Sequence, residues 1–249
     1  MSRSARVYAD FLAPHLSSRS HLLDVGCGSG ELSLDLAVTV GQVTGVDADL
    51  EEIETARRAA MQAGLSSADF HVGDAYSLDL PSDHFDAVLA HSVLEALERP
   101  TAAVTEMKRV LKPGGVLAVA SVEYAGLILA GPHHDLTRRF YAIRERLWRI
   151  EGADPYLGRE LRGLLLGVGL ADVIATTTYI NYGTTEAVSE FGLGRAEDCN
   201  DGWYSASAVQ RGLATQEELA AMRRAWLEWS ASSTAYAAFA WCRALGWKP

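Results

Sequence analysis

Three aspartates and a run of alternating glycines are the residues whose type and spacing suit chemistry. Asp24 closes on Gly26-Cys27-Gly28-Ser29-Gly30, Asp47 follows about twenty residues later, and Asp74 follows Gly73. A carboxylate only accepts hydrogen bonds, so Asp47 suits a pair of sugar hydroxyls and Asp74 suits an exocyclic amino group. Glycine permits a tight turn and lets a ligand approach backbone closely. The spacing G-x-G-x-G departs from the G-x-G-x-x-G expected for a dinucleotide. Any one of these aspartates alone reads as a cap or turn residue. Three of them, after three successive apolar runs and beside a glycine turn, read as one ligand site.

The runs that must position them are short. His21-Leu22-Leu23-Asp24-Val25 reads as a strand entering the glycine turn, and Leu32, Leu34, Leu36 and Ala37 read as the helix that leaves it. Free N–H groups at that helix start predict a site for a carboxylate or phosphate. Val43–Val46 is a second strand, ending in Asp47. Residues 50–63 are a helix with Ile53, Ala56, Ala60 and Ala63 inward and Gly64 at its end. Phe70-His71-Val72 is a third strand, Phe85 to Ala90 a fourth, 101–111 a helix stopped by Lys112-Pro113-Gly114-Gly115, and Val116 to Val122 a fifth strand. Strands alternating with helices imply a parallel sheet covered on both faces, with its ligand at the carboxyl ends of the strands. The rhythm breaks after Val122. Helices are expected over His134 to Ile150, Gly158 to Val168 and much of 184–230, with a strand over Val173 to Tyr179. Residues 234–247 read as a final strand from their aromatics and place, although their alanines argue for helix.

The chain has 249 residues, 49% of them hydrophobic, and a net charge of −10. That acidity opposes binding to phosphate backbones. The arginines at 138, 139, 144, 146 and 149 read as a solvated helix face mixed with Glu145 and Glu151. Cys27, Cys199 and Cys242 have the spacing of neither a zinc site nor a disulfide framework, so a reduced, cytoplasmic location is expected and no metal. No secretory leader or apolar membrane span is expected.

At these residues the chain resembles the class I S-adenosylmethionine-dependent methyltransferases, in particular the group containing the menaquinone and ubiquinone methyltransferases. The matching segments are LLDVGCGSGELSLDLA (22–37), GVDADLEEIETARRA (45–59), GDAYSLDLPSDHFDAVLAHSVLEAL (73–97) and EMKRVLKPGGVLAVAS (106–121). The resemblance implies an α/β fold with a doubly wound, mostly parallel seven-stranded sheet in the order 3-2-1-4-5-7-6, strand 7 antiparallel, with helical cap insertions. It implies one domain over 1–249, with a cofactor-binding core at about 20–122 and cap insertions at about 123–172 and 181–232. S-adenosyl-L-methionine is the implied cofactor. Asp24, Gly26, Cys27, Gly28 and Gly30 would hold its methionine end, Asp47 its ribose, Ala48 its adenine, and Gly73, Asp74 and Ala75 the adenine amino group. Ala90 and His91 would line the pocket near its amino group.

Methyl transfer to O, N or C can run on alignment and exclusion of water, and a general base helps where the acceptor is a hydroxyl. Candidate bases are His91, His133 and His134. The plainer alternatives are that His91 is a pocket wall and that the other two begin a helix. Tyr8 and Tyr124 are candidate pocket residues. Aromatics crowd the second half of the chain, favouring an apolar or aromatic small-molecule acceptor. The partners expected are that substrate and at most a second copy of the chain, with no nucleic acid and no membrane. Two other readings keep the fold: a non-methylating cyclisation or rearrangement using the bound sulfonium, and a non-catalytic binding protein. A nicotinamide oxidoreductase is disfavoured by the glycine spacing.

Overall fold

A computed structural model describes residues 4–249. The chain divides into two compact units. The first comprises residues up to Val122, Tyr156–Thr178 and Trp241–Pro249; the second comprises Glu123–Pro155 and Tyr179–Ala240.

The first unit opens with a short helix α1 (Ala5–Tyr8), capped by the Ser4 hydroxyl. Then β1 (His21–Val25), α2 (Glu31–Leu36), β2 (Gln42–Asp47), α3 (Leu50–Ala63), β3 (Ala68–Val72), β4 (Phe85–His91) and α4 (Pro100–Val110) alternate as the hydrophobic pattern requires. Strand β5 (Leu111–Ala130) starts in this unit. Helix α6 (Leu161–Gly167), the start of β6 (Ala171–Tyr182) and the end of β7 (Tyr236–Trp247) complete it. The sheet order is β3-β2-β1-β4-β5-β7-β6, with strand 7 antiparallel. Gly114 donates to Lys248 O at 2.8 Å and Lys248 N to Gly115 O at 3.0 Å, which ties the start of β5 to the end of the chain.

Alternation along the parallel strands fills both faces. Leu23, Val25, Val88, Ala90, Leu117 and Val119 pack with Met107, Leu161 and Leu165 in one core cluster. Leu22, Ala87, Leu89, Val116 and Ala118 pack with Leu36, Val40 and Leu12 in another. Fully burying each Leu, Val or Met among them is worth about 1.5–3 kcal/mol before entropy is counted, and each Ala less. Register aligns the strand ends: Asp24 stands opposite Gly45 and Leu89, and Asp47 opposite Val72. Gly73 and Asp74 therefore follow directly beside Asp47.

Local chemistry sets the helix limits. The Asp49 carboxylate accepts from Glu51 N at 2.8 Å to start α3, and Gly64, at φ +67°, ends it. Pro100 occupies the first turn of α4, where its missing N–H costs nothing.

The second unit contains α5 (His134–Ile150), α7 (Thr185–Asn200), α8 (Trp203–Gln210) and α9 (Gln216–Ser230), with the strand residues 123–130, 179–182 and 236–240. Phe140 stacks on Tyr204 at 4.3 Å, and the fully buried Trp226 meets Phe140, Phe191 and Trp229 edge-on or tilted. The phenol of Tyr204 donates to Phe140 O and the indole of Trp229 to Ala130 O. The arginine run of α5 is mixed with acids as expected: Arg139 pairs with Glu218, Arg144 with Asp198 and Arg149 with Glu145.

One expectation changes. Strand β5 runs well beyond Val122, because residues 123–130 keep extended backbone; in the second unit Gly126 faces Ala240 so closely that an added Cβ would lie 2.3 Å from it. Residues 236–247 are strand, in agreement with the reading of 234–247 from its aromatics and place; Ala237, Ala238, Ala240 and Ala244 are small side chains buried in the sheet layer.

Candidate cofactor site

All three aspartates lie at the carboxyl ends of β1, β2 and β3, around two adjoining cavities that share Gly26. The first, of about 350 Å³, is lined by Asp47, Ala48, Gly73, Asp74, Ala75 and Tyr76 together with Ser92, Val93, Ala96 and Leu97. The second, of about 240 Å³, is lined by Asp24, Cys27, Gly28, Ser29, Glu31, Glu52 and His91. Each cavity thus has its own acidic edge, and the glycine turn lies between them.

Gly26 is the residue that backbone geometry demands. Its φ is +72°, and a Cβ there would come within 2.3 Å of the Val93 side chain. The turn is held by its own carboxylates. Asp47 Oδ2 accepts from Gly28 N at 2.8 Å and Oδ1 from Asp49 N at 3.0 Å, leaving lone pairs of both oxygens for a ligand. Asp74 Oδ1 accepts from Tyr76 N at 2.8 Å. Asp24, 2% exposed, accepts from the Ser33 hydroxyl at 2.6 Å.

The helix after the turn is short. It has only six residues, Gly28 N is committed to Asp47 and Gly30 N to Cys27 O at 3.0 Å. With Asp24, Glu31 and Glu52 lining the same cavity, the field there favours a cation over a carboxylate or phosphate.

The remaining predicted residues divide. Gly73, Ala48 and Ala75 line the larger cavity, and Cys27 and His91 the smaller. Gly30 (φ +82°) caps α2 behind the turn. Ala90 is fully buried in the core cluster, because strand alternation sends its side chain opposite to that of His91. Tyr8 sets its ring edge against His91 at 5.2 Å. His133, His134 and Tyr124 belong to the second unit. His133 is the cap residue of α5, with Nε2 2.6 Å from Glu228, and His134 begins the helix and accepts from Arg138. Tyr124 packs with Trp148, Tyr141 and Phe239.

The sequence reading missed three features. Glu52 lines the smaller cavity from the first turn of α3. The segment Ser92–Leu97 borders the larger one, and its six residues are too few to show a period. Glu95 hangs beneath that wall, 2% exposed, accepting from Ser92 Oγ at 3.0 Å and Ser121 Oγ at 2.7 Å. Burial pushes its carboxyl above the ordinary range, against those hydrogen bonds.

Burial, with Asp24 and Asp47 nearby, likewise raises the Cys27 thiol far above its ordinary range. Cys27 therefore stays protonated and unreactive. At pH 8 iodoacetamide is expected to modify Cys242 before Cys27; peptide mass mapping over time reads the order, and faster labelling of Cys27 would contradict this.

Residues 23–119 match the model of a methyltransferase domain. An uncharacterised methyltransferase of Schizosaccharomyces pombe is 30% identical over 171 residues, covering 65% of this chain and 60% of that protein. The ubiquinone biosynthesis O-methyltransferase of Cereibacter sphaeroides is 36% identical over 113 residues, 45% of each chain. Among solved structures the cyclase SpnF has a TM-score of 0.59 at 25% identity, over 98% of this chain and 81% of that one. The chain spans between 45% and 62% of the length of the first curated relatives it matches. Sheet order, carboxylate-rimmed crevice and matched segments agree, and residues 23–119 form a methyltransferase domain.

Proposed function

We propose that this chain transfers the methyl group of S-adenosylmethionine to an O, N or C atom of a small molecule, and that the acceptor is apolar or aromatic. The pair of cavities hinged on Gly26 carries the proposal. The donor sets fit the cofactor's parts: Asp47 offers lone pairs for two ribose hydroxyls, Asp74 for an adenine amino group beside Ala48 and Ala75, and the acidic smaller cavity suits an ammonium and a sulfonium. When bound, the cofactor supplies an electrophilic methyl on cationic sulfur.

The chain's own residues do the rest. Asp24, braced by Ser33, and the glycine turn bind and orient the methionine end, with Gly28 set by Asp47. Val93, Ala96 and Leu97 exclude water from the larger cavity. His91, at the end of β4, is the proposed base, holding the acceptor proton on its imidazole; His133 and His134 are the other candidates. Tyr8 and Tyr124 are proposed pocket residues. The aromatics of the second unit support an apolar acceptor. We further propose one methyltransferase domain with a cap, a cytoplasmic location, which three free cysteines support, a small-molecule partner rather than nucleic acid, and at most a homodimer. No helix among the described residues is long and apolar enough to cross a membrane.

The test is incubation with S-adenosylmethionine and a panel of phenolic, polyketide-like and small polar amine acceptors, read by mass spectrometry. Stoichiometric S-adenosylhomocysteine and a product 14 Da heavier are expected with an apolar aromatic acceptor. Turnover only with the small polar amines would overturn the acceptor class. The likeness to the cyclase SpnF favours one second reading, an isomerising cyclisation on the same site. That outcome is distinguished by product of unchanged mass and no S-adenosylhomocysteine.

A further inference from the structure

His91 is held by two rings from distant parts of the sequence. Its imidazole stacks on the Trp241 indole, centroids 4.6 Å apart and planes at 22°. Tyr8 stands edge-on to both, 5.2 Å from His91 at 88° and 5.9 Å from Trp241 at 81°. His91 is only 4% exposed, yet it lines the smaller cavity with Asp24, Gly26 and Gly28. One ring face is covered and one side is blocked, so the plane in which the imidazole meets the cavity is set from two directions.

The segment carrying Tyr8 is itself fastened. Ala5 N donates to Asp35 Oδ2 at 2.6 Å. Asp10 forms an ion pair with Arg243, whose guanidinium lies 5.3 Å from the Phe11 ring. Arg243 is two residues from Trp241, so strand alternation puts both on one face of β7. It is 8% exposed, and an ion pair with one partner so desolvated is screened less than a surface pair. Tyr8, Asp10, Trp241 and Arg243 all lie outside the matched residues 23–119.

We propose that Trp241 is a positioning residue which, with Tyr8 and the Asp10–Arg243 pair, fixes the plane of His91 at the methionine-end cavity. This rests on the reading of that cavity as the cofactor site. Trp241 acts through His91, so its removal matters only while the imidazole is present.

A double-mutant cycle read by calorimetry with S-adenosylhomocysteine tests it, because additivity separates action through a neighbour from an independent structural role. Trp241→Ala is expected to weaken binding about tenfold, the order of one aromatic pair. Trp241→Phe, which keeps a stacking ring, is expected to stay within about threefold of the unaltered chain. In a His91→Ala background, Trp241→Ala is expected to add less than about twofold. The His91 ring protons, shifted upfield in NMR spectra by the indole, lose that shift in Trp241→Ala. Should Trp241→Ala fail to fold, Tyr8→Ala, on the half-buried N-terminal segment, carries the same cycle. Unchanged affinity in Trp241→Ala, or full additivity with His91→Ala, overturns the proposal and leaves the cofactor site standing. No binding by the unaltered chain overturns both.

Discussion

Asp47→Ala is expected to weaken S-adenosylhomocysteine binding about 100-fold, near 3 kcal/mol. Two losses add. Hydrogen bonds from ribose hydroxyls to an ionised carboxylate contribute a net of about 1.5–3 kcal/mol each, and water entering the vacated site offsets part of their loss. The same carboxylate also accepts from Gly28 N at 2.8 Å, so its removal frees the turn between the two cavities. Asp47→Asn keeps one acceptor oxygen and is expected to fall between the two. Calorimetry on folded variants measures this. An Asp47→Ala chain binding within about threefold of the unaltered one would mean that this carboxylate does not face the ligand.

Glu95→Ala is expected to lower folding stability by about 3 kcal/mol, because it strands the Ser92 and Ser121 hydroxyls, each costing about 1–3 kcal/mol when left without an acceptor. Ser92 also borders the larger cavity with φ +61°, so cofactor affinity should fall with it. Glu95→Gln retains an acceptor oxygen and separates charge from hydrogen bonding. The sign of the pH effect follows from the raised folded pKa. Stability from the protonated carboxyl is fully present below the ordinary value of 4.5 and is lost as pH rises through the raised one. Urea unfolding from pH 4 upward should therefore show the unaltered chain losing stability relative to Glu95→Gln. A difference independent of pH across that range would contradict an upward shift at the buried Glu95.

These two residues also mark what sequence could and could not reveal. Asp47 was legible because a strand pattern, Val43–Val46, ends on it beside a glycine turn, and side chains at the ends of adjacent parallel strands converge. The succession of β1 to β4 along the chain followed from the same alternation, and their order in the sheet from the resemblance. Glu95 was not legible, since Ser92–Leu97 is too short to show a period and burial of its carboxyl depends on Ser121, from another strand. Trp241 was hidden for a related reason. Its alanine-rich surroundings suit helix or strand, and only the antiparallel placement of β7 brings it onto His91. The acidic lining of the smaller cavity was not legible either, because Glu31 and Glu52 come from two different helices whose approach no local pattern reveals.

The most direct measurement is a crystal structure of the chain grown with S-adenosylhomocysteine. The ribose hydroxyls are expected on Asp47, the adenine between Ala48 and Ala75 with its amino group on Asp74, and the amino-acid end beside Asp24 and the glycine turn. Ligand density elsewhere, or a crevice filled by protein side chains around Gly26, would contradict this placement.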